Sequence, residues 1–344
     1  MRVRLFATTA LLILSAPLAA QTVTEQTTGT GAEFRGLIAV DANVIWASGS
    51  GGVVARTTDG GTHWLVDTIP GAAALFLTDI SAFNGREAWV VGTNFRGGSA
   101  AIFHTADSAR TWHQEWALTD PKIFLDAVAF ADPEHGLAVS DPIDGKATLF
   151  RTEDGATWTR IDPALFPAVE PGEASFAASG TALTLRGREA WFVTGGGAKA
   201  RIFHSPDFSA PSPAWTATES PITANATTGL FGVAFRDALH GIALGGDYQH
   251  PADPGANAVA TNDGGATWTL AGRTVPVGVR YGVVFAPGTT TLLAPAPSGT
   301  GVSFDDGKHW RVLDPASANT AACANASTCW LAGVNGRVAK VILP

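Results

Sequence analysis

Asp126, Asp141 and the adjacent Arg280 and Tyr281 are the residues of this sequence that come nearest to a chemical constellation. Two opposed carboxylates could hydrolyse a glycosidic bond, but the separation of Asp126 and Asp141 does not follow from sequence. The chain has no nucleophile elbow and no HExxH, and the glycines of "GSGGVV" (49–54) do not open a helix as a dinucleotide site requires. Any chemistry therefore depends on a fold that gathers residues from distant parts of the chain.

One phrase recurs along the chain: a hydroxyl residue two places before an aspartate, then glycine, then tryptophan. Its copies end at tryptophans separated by 48, 46, 110 and 42 residues, and a degenerate copy, "HSPDFSAPSPAW" (204–215), fills the longest gap. The other copies are "RTTDGGTHW" (56–64), "HTADSARTW" (104–112), which lacks the glycine, "RTEDGATW" (151–158), which is one residue short, "ATNDGGATW" (260–268) and "VSFDDGKHW" (302–310). Short apolar or alternating runs such as "FRGLIAV" (34–40) and "EAWVVG" (87–92) precede the copies. Each unit thus predicts three strands before the phrase and a fourth after it.

Units of about 40–50 residues with four strands each are typical of propeller blades. The last stretch, 319–344, supplies only three strands, and "QTVTEQTTG" (21–29) supplies one strand ahead of the first unit. Joining the two completes a seventh blade and removes unpaired sheet edges. The sequence predicts an all-β fold: a seven-bladed β-propeller with four-stranded blades, closed by the N-terminal strand joining the C-terminal blade, with 21–344 as a single domain.

The repeated aspartates and tryptophans are predicted to be architectural. A tight turn between the third and fourth strands leaves backbone amides without partners, and a carboxylate can accept hydrogen bonds from them. Glycine in such a turn adopts the positive φ that other residues resist. The tryptophan is expected to pack between neighbouring blades and to offer its N–H to a carbonyl. The predicted structural residues are Asp59, Trp64, Asp107, Trp112, Asp154, Trp158, Asp263, Trp268, Asp305 and Trp310.

In a propeller, the loops between blades and those joining the second to the third strand share one face around the central channel. Residues in these loops, and at the starts of the inner strands, are predicted to form a binding site for a polar ligand or a peptide end. They are Arg35, Arg96, Asp126, Asp141, Asp144, Asp247, Tyr248, His250, Arg280 and Tyr281. At single positions such as Asp141 and Asp144 the alternative is that the acid only shapes an Asp-Pro or Asp-Gly turn.

Residues 1–20 have the layout of a secretory signal: two arginines, a short apolar run and small residues before Gln21. Cleavage there would leave 20 basic against 30 acidic residues, a net charge of about −10, and no membrane span. Such a chain has no basic stripe for nucleic acid. No cysteine follows the apolar run, so a lipid anchor is not expected and we predict a periplasmic monomer.

The two cysteines, Cys323 and Cys329, lie close together in sequence. In an exported chain an even count at this spacing predicts one disulfide across a hairpin. Two thiols without neighbouring histidines are too few for a zinc site, and we predict neither a metal nor another cofactor.

The phrases "TTDGGTHW" (57–64) and "TNDGGATW" (261–268) resemble the Asp-box, or bacterial neuraminidase repeat. Sialidases share these boxes and use a Tyr-Glu pair with three arginines. Their early Phe/Tyr-Arg-Ile-Pro motif is only half present, as Phe34 and Arg35 followed by Gly36, and no glutamate is placed beside Tyr281. A sialidase-like hydrolase is therefore kept as the alternative and is not the main prediction.

Across 21–344 the chain resembles the photosystem II stability/assembly factor-like group of exported Asp-box propellers. The resemblance rests on "EFRGLIAVDANVIWASGSGGVVARTTDGGTHW" (33–64), "FLDAVAFADPEHGLAVSDPIDGK" (124–146), "SFAASGTALTLRGREAWFVTGGGAKARIFHS" (175–205) and "GVAFRDALHGIALGGDY" (232–248). It implies a propeller that binds a partner protein or peptide, in the photosynthetic member a membrane-protein precursor held by an arginine-rich patch. Some relatives carry labels such as oxidoreductase or glycosyl hydrolase, so an enzyme using the same face stays an open alternative.

Overall fold

A computed structural model describes residues 21–96 and 98–344, and the predicted signal segment lies outside these ranges. The described strands form seven four-stranded antiparallel sheets, each built from consecutive strands except the last. The first strand of every sheet lines a common central channel. The predicted seven-bladed β-propeller is confirmed.

The strand that precedes the first blade is β1 (Thr22–Gln26). Blade 1 contains β2 (Phe34–Ala39), β3 (Ile45–Gly49), β4 (Val53–Thr57) and β5 (Leu65–Thr68). Blade 2 contains β6 (Phe76–Ala82), β7 (Ala88–Thr93), β8 (Ala100–Thr105) and β9 (His113–Leu118). Blade 3 contains β10 (Leu125–Phe130), β11 (Gly136–Ile143), β12 (Lys146–Thr152) and β13 (Trp158–Arg160).

Blade 4 contains β14 (Leu183–Arg186), β15 (Glu189–Val193), β16 (Lys199–Ser205) and β17 (Thr216–Thr223), preceded by short 3₁₀ turns at Pro163–Leu165 and Gly180–Ala182. Blade 5 contains β18 (Thr228–Phe235), β19 (Gly241–Asp247), β20 (Ala258–Thr261) and β21 (Thr269–Leu270). Blade 6 contains β22 (Val284–Phe285), β23 (Leu292–Ala294), β24 (Thr300–Ser303) and β25 (Arg311–Asp314). Blade 7 contains β26 (Thr320–Cys323), β27 (Thr328–Ala332), β28 (Val338–Ile342) and, as its outer strand, β1.

Blade 7 is closed by the two ends of the described chain. Strand β1 pairs with β28 over its whole length, from Thr22 opposite Ile342 to Gln26 opposite Val338. The predicted closure by the N-terminal strand is therefore confirmed. Cys323 and Cys329 lie directly opposite each other on β26 and β27, where they form a disulfide.

The core consists of apolar clusters that span neighbouring blades, and the largest joins blades 3, 4 and 5, so burial itself holds the ring together. One cluster joins Ala55 of blade 1 to Trp330 of blade 7, and Trp64 packs against it. Other phrase tryptophans, such as Trp158 and Trp268, are buried in clusters of the same kind. Trp268 and Trp310 donate their N–H groups to carbonyls, whereas the N–H groups of Trp64 and Trp158 have no partner among the described residues.

The phrase aspartates close the turns between the third and fourth strands. In blade 5, Asp263 accepts bonds from the Thr261 hydroxyl (2.7 Å), the Thr267 amide (2.9 Å) and the Thr267 hydroxyl (2.6 Å). These bonds to the charged form lower the pKa of Asp263 to about 2. Ser108 and Ala109 take positive φ values of 72° and 65° where the blade 2 phrase lacks glycine, so the turn persists without it.

These turns lie beside the hairpins that join first and second strands, as the bonds from Gly60 to Asn43 and from Gly155 to Glu134 show. We call this side of the ring the turn face. The opposite side, which carries the loops between blades and between second and third strands, is called the cavity face.

Near the channel centre, Asp79 of β6 reaches across to blade 4. Its oxygens accept the amides of Ile80 (2.8 Å) and Val128 (2.9 Å), and a Cβ at Gly180 would lie only 1.9 Å from one of them. We expect Gly180→Ala to destabilise the fold by about 1–3 kcal/mol, because it must displace a hydrogen-bonded carboxylate.

Denaturant unfolding followed by tryptophan fluorescence measures this cost. The matched control is Gly31→Ala, since Gly31 is exposed and a Cβ at this position would have no neighbour within 4 Å. Equal midpoints for the two variants would contradict the close approach.

Candidate functional site

Four inner strands carry a β-bulge at the same place, near the cavity face. The unpaired residues are Arg35 in β2, Thr78 in β6, Asp126 in β10 and Phe231 in β18. A bulge re-aims the side chain of its extra residue. Three of these side chains line one cavity of about 370 Å³, while the Thr78 hydroxyl instead donates to the carbonyl of Leu125 (2.9 Å).

The cavity is lined by residues of blades 1, 3, 4 and 5 and by Tyr281 ahead of β22 in blade 6. Its charged residues are Arg35, Asp126 and Asp141, and its aromatic residues are Phe124, Phe176, Phe231, Tyr248 and Tyr281. Small residues of the segment before β14 complete one wall: Gly172, Ala174, Ser175, Ala177 and Ala178. Five of the ten predicted binding residues thus meet here: Arg35, Asp126, Asp141, Tyr248 and Tyr281.

Asp126 is fully buried, and neither of its carboxylate oxygens has a hydrogen-bond partner among the described residues. Burial, followed by the charge of nearby Asp141, raises its pKa well above the usual range. The amides of Ala177 and Asp141 face the carboxylate and oppose this shift, but neither reaches hydrogen-bond geometry. An unpartnered buried carboxylate is costly in its charged form, so burial favours the neutral acid unless a nearby cation compensates the charge.

Asp141 lies beside Asp126 at the end of β11 and is partly exposed. Its Oδ1 accepts the amide of Ser175 (3.0 Å), and burial raises its pKa despite that bond. Two carboxylates in one low-dielectric site disfavour ionising together. The pair therefore holds a proton more readily than ordinary aspartates do.

Arg35 is the cationic residue of the cavity, but its guanidinium is already paired with other groups of the protein. Its guanidinium donates twice to Oε1 of Glu33 (3.1 and 3.0 Å) and once to the carbonyl of Ala177 (2.7 Å). The same group stacks over the rings of Phe76 (4.8 Å) and Phe95 (5.2 Å). With Arg35 paired to Glu33, the ionisable groups of the cavity that lack an oppositely charged partner are the two acids, Asp126 and Asp141.

Aromatic rings form the remaining wall. Phe176 stacks on Phe231 with centroids 4.3 Å apart, and Tyr281 lies nearly parallel to Phe231 at 6.1 Å. Tyr248 meets both phenylalanines edge-on and is 41% exposed at the rim. Burial raises the pKa of Tyr281, so its phenol stays neutral at physiological pH.

Four other predicted binding residues lie near the cavity face without lining the cavity. Asp144 pairs with Lys122 at an exposed hairpin tip, and Arg96 is exposed in the loop after β7. Asp247 accepts the amide of Gln249 (2.9 Å) and Nδ1 of His250 (2.8 Å). These bonds outweigh burial and lower the pKa of Asp247 to about 2, so Asp247 and His250 organise a turn.

Arg280 is fully buried and does not line the cavity. Its guanidinium donates to the carbonyl of Gly299 (3.0 Å) and the hydroxyl of Ser298 (2.7 Å). Burial lowers the pKa of Arg280 to about 10, still far above neutral pH. The arginine therefore clamps the loop between β23 and β24 instead of facing a ligand.

Sequence reasoning missed three phenylalanines of the cavity: Phe124, Phe176 and Phe231. Phe231 had a usable signal, because the openings "FRG", "LDA", "LFG" and "RYG" of four inner strands place Arg35, Asp126, Phe231 and Tyr281 at one equivalent position. Phe176 had none, since it belongs to the irregular segment before β14.

Among residues 21–96 and 98–344, no group of three or more histidines, cysteines or acids is arranged to hold a metal ion. Within the same residues, none of the helical turns has the length and apolarity needed to cross a bilayer.

Fold and cavity together define a seven-bladed β-propeller with a recessed, partly acidic cavity on one face. Solved structures of YCF48, the photosystem II assembly factor, share this fold. "YCF48 bound to D1 peptide" is 14% identical, with a TM-score of 0.65 over 94% of this chain and 97% of that chain. YCF48 from Cyanidioschyzon merolae is 16% identical, with a TM-score of 0.65 over 94% and 99% of the two chains.

The WD40 β-propeller domain of Doa1 is also similar, at 11% identity and a TM-score of 0.59 over 94% of this chain and 97% of that domain. No sequence profile of a protein family and no curated protein matches the chain. The expectation that the chain folds like the photosystem II assembly factors is confirmed.

Proposed function

We propose that the chain is an exported propeller scaffold of the photosystem II stability/assembly factor-like group, and that it binds a segment of a partner protein at the cavity face. The observation that carries the proposal is the cavity of about 370 Å³ with a buried, unpartnered Asp126 and five aromatic rings. Aromatic walls with a few placed polar groups are typical of binding sites. A propeller of similar fold has been solved with a bound peptide, which supports a protein or peptide as the partner.

Export is part of this proposal. The disulfide between Cys323 and Cys329 fits an oxidising compartment, and residues 1–20 are proposed to be the signal that directs the chain there. We propose the periplasm as its location and 21–344 as the mature domain.

The glycosidase alternative is less well supported than binding. A hydrolytic pair needs both carboxylates at the scissile bond, whereas Asp126 is fully buried beneath the cavity surface. A binding site needs only the field of Asp126, which acts without direct exposure.

Site-specific photocrosslinking in the native cell tests the proposal. A benzoylphenylalanine at Tyr248, on the rim of the cavity, is expected to capture a defined partner segment identified by mass spectrometry. The matched position is His309, an exposed residue of the turn face with 89% of its side chain accessible. Adducts from His309 alone, equal adducts from both positions, or none from Tyr248 would refute binding at the cavity face.

A further inference from the structure

We infer that the cavity is selective for a cation, and that the partner segment places a lysine or arginine side chain, or an α-ammonium group, against Asp141 and Asp126. This inference rests on the proposed function, since it names the group of the partner that the cavity would accept. It differs from an arginine-patch mode of binding, because the groups of this cavity that lack an oppositely charged partner are acids.

The charged groups of the cavity and their partners indicate which ligand charge it would accept. Arg35 is held by Glu33 and by the carbonyl of Ala177, so it is not free to serve an anionic ligand. Asp126 and Asp141 have no cationic partner among the described residues. A ligand cation is therefore the complementary charge, because it would favour the ionised form of these two acids, whereas an anion would not.

Asp141 and Asp126 are buried to different extents, so they would interact with the ligand in different ways. Asp141 is partly exposed and has one oxygen engaged by the Ser175 amide, so it can contact the ligand directly. Asp126 lies one layer deeper, fully buried with both oxygens unpartnered, and acts on the ligand through its field. A bound cation would compensate both buried charges, which burial otherwise keeps from ionising.

The aromatic wall suits the same ligand. Phe176, Phe231, Tyr248 and Tyr281 present rings around one side of the cavity. Aromatic faces attract ammonium and guanidinium groups and also cover the methylene stem of lysine or arginine. The chain as a whole carries 30 acidic against 22 basic residues, so a basic segment is steered toward it from a distance.

Isothermal titration of the whole propeller with capped pentapeptides tests the inference. The probes are acetyl-Ala-Ala-X-Ala-Ala-amide with X as lysine, arginine, Nε-acetyl-lysine or norleucine, plus uncapped penta-alanine amide, which offers only the α-ammonium. At least one cationic probe is expected to bind about tenfold or more tightly than its neutral counterpart. The probe that does so distinguishes a side chain from a chain terminus as the source of the charge.

Asp141→Asn is expected to remove most of this preference, and Asp126→Asn to reduce it. Asp253→Asn is the matched control, because Asp253 is an exposed acid in the loop after β19 that does not line the cavity. If an asparagine variant does not fold, the comparison of charged and neutral probes on the unmodified protein decides the question alone.

Cationic and neutral probes that bind alike, or both fail to bind, would overturn the inference. If crosslinks at Tyr248 still capture a partner in that case, the proposed function stands and only the charge selectivity falls. Cation-selective binding without any partner at Tyr248 would instead leave the cation site standing and refute the protein partner.

Discussion

Replacing Glu173 with alanine is expected to lower the free energy of unfolding by about 3–5 kcal/mol, because it leaves the buried guanidinium of Arg201 without its carboxylate partner. The side chains of Glu173 and Arg201 are only 1% and 9% exposed, and Arg201 Nε donates to Oε1 of Glu173 at 2.8 Å. The hydroxyl of Thr194 (2.6 Å) and the amide of Glu170 (2.9 Å) also donate to the Glu173 carboxylate. Removing the acid breaks all of these bonds at once.

The same change is expected to loosen the cavity. Glu173 belongs to the segment that contributes Gly172 and Ala174 to the cavity wall, and Ala174 pairs with Gly195 through two backbone bonds. Hydrogen exchange should therefore accelerate in 172–178 before it does elsewhere.

The control for Glu173 is Glu219→Ala, which removes an exposed ion pair with Lys199 and should change the denaturation midpoint little. The double variant Glu173→Leu with Arg201→Met should recover much of the lost stability, since it leaves no buried charge. A Glu173→Ala midpoint as close to the parent as that of Glu219→Ala would show that the buried pair contributes little.

Stability is expected to fall as the pH rises from about 4 to about 7, by up to about 4 kcal/mol from Asp79 alone. Burial raises the pKa of Asp79 from 3.8 to about 7, outweighing the two amides that bind its charged form. Between these pH values the native state binds a proton that the unfolded state has released, so raising the pH favours unfolding. Above about pH 7 the contribution is constant.

Other groups act beside Asp79. Asp126 and Asp141, whose pKa values burial also raises, reinforce the trend. The turn aspartates with pKa values near 2, such as Asp263, affect stability only below about pH 4. Burial lowers the pKa of His204 from its usual 6.5, which opposes the trend on the acid side of about pH 6.5.

Denaturant midpoints at pH 5 and pH 8 check this prediction, and Asp79→Asn should flatten the difference between them. The asparagine can keep only one of the two accepted amide bonds, so this variant is expected to be less stable than the parent at pH 5. Asp144→Asn, at an exposed position, should leave the slope unchanged. A midpoint that rises between pH 5 and pH 8 would contradict the buried, protonated Asp79.

The ring could be predicted from sequence because its features repeat. Three strands before each aspartate phrase and one after it fix the blades, and the incomplete last unit requires the strand at Thr22–Gln26. Blade 4 was harder to predict: its phrase ends at Trp215 with an irregular "HSPDFSAPSPAW", and a long segment without strands precedes β14. That segment supplies much of the cavity wall.

The site could be predicted only in part, since a loop position does not determine where a side chain points. Asp126 and Arg35 enter the cavity because a bulge turns them inward. Arg280 is adjacent to the cavity-lining Tyr281, but its side chain is buried in the interior, where the carbonyl of Gly299 and the hydroxyl of Ser298 bind it. The Asp247 carboxylate is hydrogen-bonded to His250 within its own turn and so does not face the cavity.

The register of blade 7 sets how the ring responds to force. Thr22 lies opposite Ile342 in an antiparallel pair, so both ends of the described chain leave the ring at one point. Tension between these ends would load the bonds from Thr22–Ile342 to Gln26–Val338 one after another, as a zip opens, instead of shearing them together. The pairing of β1 with β28 is thus the mechanically weakest part of the ring. Proteins fused to the two ends would lie side by side.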